Sequence, residues 1–177
     1  MANDGSVAVS RRIAASAAEI FGVLTDPRRH VDLDGSGMVR SAVTTTPVSA
    51  VGDVFVIAMH YSVIGDYEMN NHVVEFEQDR RIGWEPESGR GHPDQSASDA
   101  RWGHRWVYDL EPDGPDATIV TETYDCSQAP APERVAMRDG RVWLESMAET
   151  LQRLDQLCGS GEHGSPGRAG PSLPHRP

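Results

Sequence analysis

The sequence predicts an α+β domain. A curved antiparallel sheet of about seven strands wraps around a long C-terminal helix, with short helices after the first strand and an internal cavity. Three observations carry this. The elements run strand, helix, a series of strands, then one long helix. The central strands are joined by connections too short for a crossover, so neighbours are antiparallel. One strand, RWGHRWVYDL (101–110), places Trp102, His104, Trp106, Tyr108 and Leu110 on one face, because side chains alternate with a period of two. A filled core prefers aliphatic side chains; a pocket wall uses aromatics with a few polar groups.

The first strand is SVAVSRRI (6–13), which alternates. In SAAEIFGVLTDP, Ser16 and Glu19 form a capping box, Ile20, Val23 and Leu24 form the apolar stripe, and Pro27 stops the helix near Asp26. RRHVDLDGSG reads as a short helical turn or loop. Its DGSG is too short to cradle a phosphate and serves as a turn into the next strand. Strands follow at 38–46, 52–62, 66–78, 80–87, 101–112 and 117–127. Gln78 and Asp79 make one tight turn, and the stretch 113–116 has hairpin chemistry. The connection GRGHPDQSASDA (89–100) is longer than a hairpin needs, a length common in binding loops. From about 133 to 157, Gly140, Trp143, Leu144, Met147, Leu151 and Leu154 recur at spacings of three and four, one buried stripe. One folded domain is therefore expected over 1–158. The Gly-, Pro- and Ser-rich stretch 159–177 is expected to be a disordered tail.

A chain of 177 residues is one domain plus a tail. Its net charge of −11 argues against binding nucleic acid or an anionic membrane, both of which require a basic face. No run approaches the length of a membrane span, and MANDGSVAVS lacks the basic and apolar regions of a secretory signal. Cys126 and Cys158 have no C-x-x-C spacing and are expected as reduced, partly buried thiols. The expected location is the cytoplasm. There is no G-x-S-x-G elbow, P-loop or dinucleotide fingerprint.

Facing follows from leaving charges in solvent. With Glu75 and Glu77 outside, Glu68, Asn70, His72, Val74 and Phe76 turn inward. Ile82 and Trp84 go in against Arg81 and Glu85. Val120, Glu122 and Tyr124 go in, because Ile119, Thr121 and Thr123 form a threonine-rich, solvated face. Val54, Val56, Ala58 and His60 share a face. The candidate ligand-binding set is Asn70, His72, Trp84, Trp102, Trp106, Tyr108, Tyr124 and, from the C-terminal helix, Trp143.

Glu122 is the informative member, since a buried carboxylate needs a donor. His104, on the neighbouring strand, is the natural one, and the two are the candidate catalytic residues. Three arrangements remain open: a structural His–Glu or Tyr–Glu hydrogen bond, a ligand-facing acid–base pair, or a metal site of His60, His72, His104 and Glu122. The last lacks short ligand spacing, so no metal is expected.

Several stretches carry a resemblance: IAASAAEIFGVLTDPRRH, VGDVF, RRIGWEP, Trp106 to Pro112, and TIVTETYD at 118–125. Over Val7 to Leu157 the sequence resembles the START-domain-like superfamily with the helix-grip fold, SRPBCC. It is most similar to the bacterial polyketide cyclase/dehydrase-like branch. The resemblance implies a deep hydrophobic cavity under the C-terminal helix and a ligand such as a lipid, sterol, polyketide or other aromatic molecule. Cyclases of the superfamily close a poly-β-ketone chain by aldol chemistry and dehydration. For an enzyme of that kind, Glu122 and His104 would manage protons on an enolisable carbonyl, with Trp84, Trp102 and Trp106 holding it flat. No organic cofactor is needed. The alternatives are a non-catalytic carrier or sensor with the same cavity, and a co-chaperone-like module with an exposed apolar groove. The expected partner is one small hydrophobic molecule; monomer or homodimer is left open.

Overall fold

The chain folds around one seven-stranded antiparallel sheet in the order β1-β7-β6-β5-β4-β3-β2. The computed structural model describes residues 5–95 and 101–159. β1 (Ser6–Ile13) leads into α1 (Ala17–Leu24), a 3-10 turn at Pro27–Arg29 and α2 (His30–Leu33). β2 (Val39–Ala42), β3 (Val54–Tyr61), β4 (Gly65–Glu77), β5 (Arg81–Ser88), β6 (Arg105–Pro112) and β7 (Thr118–Asp125) complete the sheet. α3 (Ala131–Ala136), a 3-10 turn at Arg141–Trp143 and α4 (Leu144–Gly159) close the fold. The tail expected over 159–177 lies outside the described residues, except that Gly159 ends α4. No described helix is long and apolar enough to cross a membrane.

Local signals place the first elements. The Ser16 hydroxyl accepts from the Glu19 amide at 3.3 Å, and the Glu19 carboxylate accepts from the Ser16 amide at 3.0 Å. This double cap starts α1 where the sequence puts it. The DGSG stretch is the turn from α2 into β2. The Asp34 carboxylate accepts there from the amides of Ser36 and Val39, both at 2.9 Å.

The C-terminal helical segment is interrupted. Arg138, Asp139 and Gly140 all take positive φ, at 51°, 51° and 87°. A left-handed residue ends an α-helix, and three in succession turn the chain before α4 starts. The apolar spacing runs through this corner, which is why the sequence reads as one uninterrupted helix. The buried stripe of α4 is Met147, Thr150, Leu151 and Leu154, while Leu144 stays exposed.

The concave face of the sheet is divided. At one end, α1 inserts Ile20, Phe21 and Leu24 against Ile82, Leu110 and Val120, with Leu151 and Leu154 of α4 above them. Phe21 meets Phe76 edge-on at 5.3 Å. All the aliphatic ends of β5, β6 and β7 point into this plug. The other ends of the same strands carry aromatic and polar side chains, and no helix fills the space beneath them.

On the convex face, charges of alternating sign run across three strands. Arg81 bonds both Asp109 and Glu75. Arg105 joins Glu75 at 3.0 Å to Glu85 at 2.7 Å, and Arg101 reaches Glu85 at 2.7 Å. Burial alone would raise the pKa of Glu75 and Glu85, but the arginine hydrogen bonds outweigh it and hold both below the usual range.

Gly35 sets how closely the α2–β2 turn approaches α4. A Cβ there would lie 2.2 Å from the Ser146 carbonyl oxygen and 2.7 Å from the Thr150 amide. The Gly35 amide donates to the Thr150 hydroxyl at 2.9 Å. Gly35→Ala should therefore lower stability by about 1–3 kcal/mol, the usual range for overpacking, seen as a lower urea midpoint. An unchanged midpoint would show that the turn does not need this close approach.

Candidate functional site

The unfilled half of the concave face encloses a cavity of about 610 Å³. Its floor is the inward face of β3 to β7, its roof is α4, and α2 closes one side. Tyr61, Ala136 and Val142 line it and are exposed, so its rim lies by the β3–β4 hairpin and the α3–α4 corner. The volume is ordinary for a small-molecule site.

Two groups of rings form the walls. In the first, Trp84 stacks on Tyr108 at 5.6 Å and meets Phe55 edge-on at 5.4 Å, with His30 5.5 Å from Trp84. In the second, successive rings run from Tyr67 through His92, Trp102 and His104 to Tyr124 at spacings of 5.1 to 5.9 Å. Trp106 and Trp143 pack beside Tyr124, at 4.6 and 6.1 Å. All four tryptophans of the chain line the cavity.

Gly103 makes the second wall possible. It lies before β6 with φ of 78°, and a Cβ would stand 2.5 Å from the backbone carbonyl of Gln128. The strand expected from 101 thus begins at Arg105. Trp102 and His104 reach the cavity from the bend before it.

Trp84, Trp102, Trp106, Tyr108, Tyr124, Trp143, His104 and Glu122 all line the cavity. Asn70 and His72 do not, which corrects the sequence reading. His72 is bonded to Glu87 at 2.5 Å on the convex face, and the inward residues of this part of β4 are Tyr67, Met69 and Asn71. The cause is a β-bulge. β4 pairs Val73 with Trp84 but Glu75 with Gly83, so Val74 is an extra residue. A bulge reverses which parity faces inward. Facing inferred from Glu75 and Glu77 holds for Phe76, which packs on the core, and fails for residues before the bulge. His60, on the face it shares with Val54, Val56 and Ala58, bonds Asp66 at 2.7 Å. His60 and His72 therefore do not converge with His104 and Glu122.

Glu122 and His104 share the cavity but are not bonded to each other. The register sets Tyr108 directly opposite Glu122 and Trp106 opposite Tyr124. The Tyr108 hydroxyl accordingly donates to Glu122 Oε1 at 2.8 Å. This is the Tyr–Glu arrangement among those left open by the sequence. The other carboxyl oxygen, Oε2, is buried and has no partner. Glu122 is 3% exposed. Burial pushes its pKa from 4.5 up to about 8, and the nearby Asp34 adds to the rise, against the lowering effect of the Tyr108 hydrogen bond. Burial likewise raises Tyr108 well above the normal range and lowers His30 and His92.

His104 belongs to a different set. Its Nδ1 bonds the Tyr124 hydroxyl, and its Nε2 lies 3.4 Å from Glu133 on α3. A carboxylate accepts, so Nε2 carries the proton toward Glu133 and Nδ1 accepts from the tyrosine. Burial raises the pKa of Tyr124, so its hydroxyl keeps its proton at neutral pH. The Trp143 indole N–H comes close enough to that hydroxyl to lower its pKa against burial, but it falls short of hydrogen-bond geometry and has no other acceptor.

Sequence reasoning did not single out His30, Asp34, Asn71, His92 or Glu133. Asn71 is hidden by the bulge. His92 and Glu133 come from a connection and a short helix whose inward sides no periodicity marks. His30 opens the one-turn helix α2 and Asp34 follows it, too short an element for periodicity to mark an inward side.

A curved sheet gripping a C-terminal helix, with an open-mouthed cavity between them, defines the helix-grip fold. The comparisons with known proteins agree with it. A START superfamily protein from Mycobacterium smegmatis superimposes with a TM-score of 0.58, at 17% identity over 86% of this chain and 98% of that one. A protein from Arthrobacter aurescens gives 0.67 at 14% identity, over 95% and 96% of the two chains. Protein NE0264 from Nitrosomonas europaea gives 0.66 at 14% identity, over 90% and 97%. The chain has the START-like, or SRPBCC, fold. No family model matches the sequence. The Mycobacterium tuberculosis protein Rv0088 is 35% identical over 130 residues, which is 73% of this chain and 51% of that protein. The chain thus spans about half the length of the curated relatives it matches.

The state of Glu122 has a measurable consequence. With a folded pKa of about 8 against an ordinary 4.5, the folded chain holds one proton more than the unfolded chain between those values. The stabilisation from this group is full below pH 4.5 and is lost as the pH rises through 8. Its slope is up to about 1.4 kcal/mol per pH unit. His30 and His92, lowered by burial, act in the opposite sense and cancel in a comparison with Glu122→Gln. Urea denaturation at several pH values across that range should show wild type losing stability relative to Glu122→Gln as pH rises. Parallel curves would mean that the carboxyl is not held neutral.

Proposed function

We propose that the protein binds one small, largely apolar molecule in the cavity between the sheet and α4. The observation that carries this reading is the cavity itself, walled by two groups of aromatic rings with a few buried polar groups among them. Such a lining holds a flat or hydrophobic molecule by burial and leaves the polar groups to orient it. The START-like fold supports the reading, since the enclosed space lies where that fold grips its helix. An inward cavity favours this over a co-chaperone-like module, which would present its apolar surface outward.

A second reading, proton-transfer catalysis, is favoured by the array of Glu133, His104 and Tyr124. Glu133 is half exposed at the surface, and Tyr124 faces the cavity. A hydroxyl hydrogen-bonded to a histidine that is itself oriented by a carboxylate is suited to give and recover a proton. In the aldol closure of a polyketide, the chemistry of a cyclase/dehydratase, the Tyr124 oxygen would take an α-proton as its own proton passes to His104 Nδ1, while the neutral Glu122 carboxyl gives its proton to the carbonyl oxygen. Carrier, sensor and cyclase all require the same cavity and differ only in whether these groups move protons.

Binding is tested with N-phenyl-1-naphthylamine, a neutral apolar dye. Because every tryptophan lines the cavity, the dye should quench most of the tryptophan emission. It should also raise the melting temperature by a few degrees at about 100 Kd, since a ligand bound only by the folded state stabilises it. No quenching by this dye or by any of a panel of neutral aromatic compounds would end the reading.

The catalytic reading is tested with 2-tetralone in D2O, following exchange of its α-protons by NMR. Exchange should exceed the buffer rate and fall by about 100-fold or more in Tyr124→Phe, the usual loss for a general acid or base, with 2-tetralone still bound. Exchange no faster than buffer would leave binding as the function.

A further inference from the structure

Two buried polar atoms among the described residues have no hydrogen-bond partner, Glu122 Oε2 and Trp143 Nε1, and both residues line the cavity. Buried polar atoms are almost always paired, and leaving one unpaired costs about 1–3 kcal/mol. Two such atoms beside one cavity point to a partner supplied by the occupant. Resting on the cavity reading above, we infer that the ligand is an uncharged molecule bearing an acceptor oxygen, a carbonyl or hydroxyl, that Glu122 and Trp143 hold by hydrogen bonds.

The chemistry of the two atoms sets the kind of oxygen. Trp143 Nε1 is only a donor. Tyr108 already donates to Glu122 Oε1, so in the neutral carboxyl the proton sits on Oε2, the oxygen left without a partner. The upward pKa of Glu122 agrees with this state. Two donors without acceptors fit an oxygen with lone pairs. A carbonyl accepts both bonds, and a hydroxyl accepts at least one.

The charge of the ligand follows from the rest of the lining. The chain has sixteen arginines and no lysine, and no arginine among the described residues lines the cavity. The lining instead contains a second carboxylate, Asp34, whose oxygens accept from Ser36 and Val39. A fatty acid or phosphate ester would bring an anion into a site with no arginine among its described lining and with His30 and His92 held toward the neutral form by burial, which is unfavourable at low dielectric. A free cation has no anion reserved for it, since Asp34 is satisfied and Glu122 is neutral.

The test uses pyrene, 1-acetylpyrene and pyrene-1-carboxylate at pH 6.5, with dissociation constants from tryptophan quenching. Wild type should bind 1-acetylpyrene at least about tenfold more tightly than pyrene, as a hydrogen bond made in a dry site is worth at least that factor. The carboxylate should bind most weakly. Trp143→Phe keeps a ring and loses the donor, so the preference for the ketone should fall several-fold while pyrene binding holds. Glu122→Gln offers an amide N–H in place of the carboxyl O–H and should keep the preference; Glu122→Leu should reduce it. Equal binding of ketone and hydrocarbon by wild type, tightest binding by the carboxylate, or a preference untouched in both Trp143→Phe and Glu122→Leu would overturn the inference and leave the cavity reading intact. Failure of all three probes to bind would overturn both.

Discussion

One helix cannot cover a sheet of seven strands, and the rest of the structure follows from that mismatch. Strands about 4.8 Å apart make a face nearly 30 Å wide, whereas a helix is only about 10–12 Å across. The chain covers part of the excess with α1, whose Ile20, Phe21 and Leu24 complete an aliphatic core beneath Leu151 and Leu154. Beyond α1 the strands still curve inward, but nothing aliphatic fills the concavity. The same strands that end in Ile82, Leu110 and Val120 continue as Trp84, Tyr108 and Glu122. Plug and cavity are two halves of one surface.

The division of shape is also a division of charge. On the convex face, carboxylates and guanidinium groups alternate through Asp109, Arg81, Glu75, Arg105, Glu85 and Arg101, each close to solvent and each paired. Inside, burial shifts five ionisable groups toward their neutral forms: Glu122, Tyr108 and Tyr124 upward, His30 and His92 downward. A low-dielectric space with no arginine stabilises neither carboxylate nor imidazolium. The interior therefore presents hydrogen bonds rather than ion pairs, which suits recognition by shape and by oxygen atoms.

Small backbone departures aim the polar groups. The extra residue at Val74 turns Tyr67, Met69 and Asn71 into the cavity and sends Asn70 and His72 out. The left-handed turn at Gly103 carries Trp102 and His104 around the edge of β6, beside Tyr124. The corner at 138–140 separates α3 from α4. It places Glu133 by His104 on one side and Trp143 by Tyr124 on the other. The turn at Gly103 and the corner at 138–140 lie at the cavity end of their elements, and the bulge lies where β4 passes from cavity to plug, in keeping with the tendency of bulges and strained turns to accompany sites.

The order of elements, the antiparallel sheet, the capped α1, the inward sets of β5, β6 and β7 and the aromatic character of one strand face were all legible in the sequence. Each rests on local rules: period-two alternation, a capping box, short connections and turn chemistry. The tertiary structure alone decided three further matters. It decided where β4 carries an extra residue, because the bulge is fixed by the pairing of β4 with β5 and leaves no mark in the alternation on either side. It decided that Glu122 meets Tyr108 while His104 meets Tyr124 and Glu133, because register assigns partners across strands, and alternation assigns only faces. And it decided that the C-terminal stripe bends at 138–140, because apolar spacing marks which residues are buried but not whether the backbone between them remains helical.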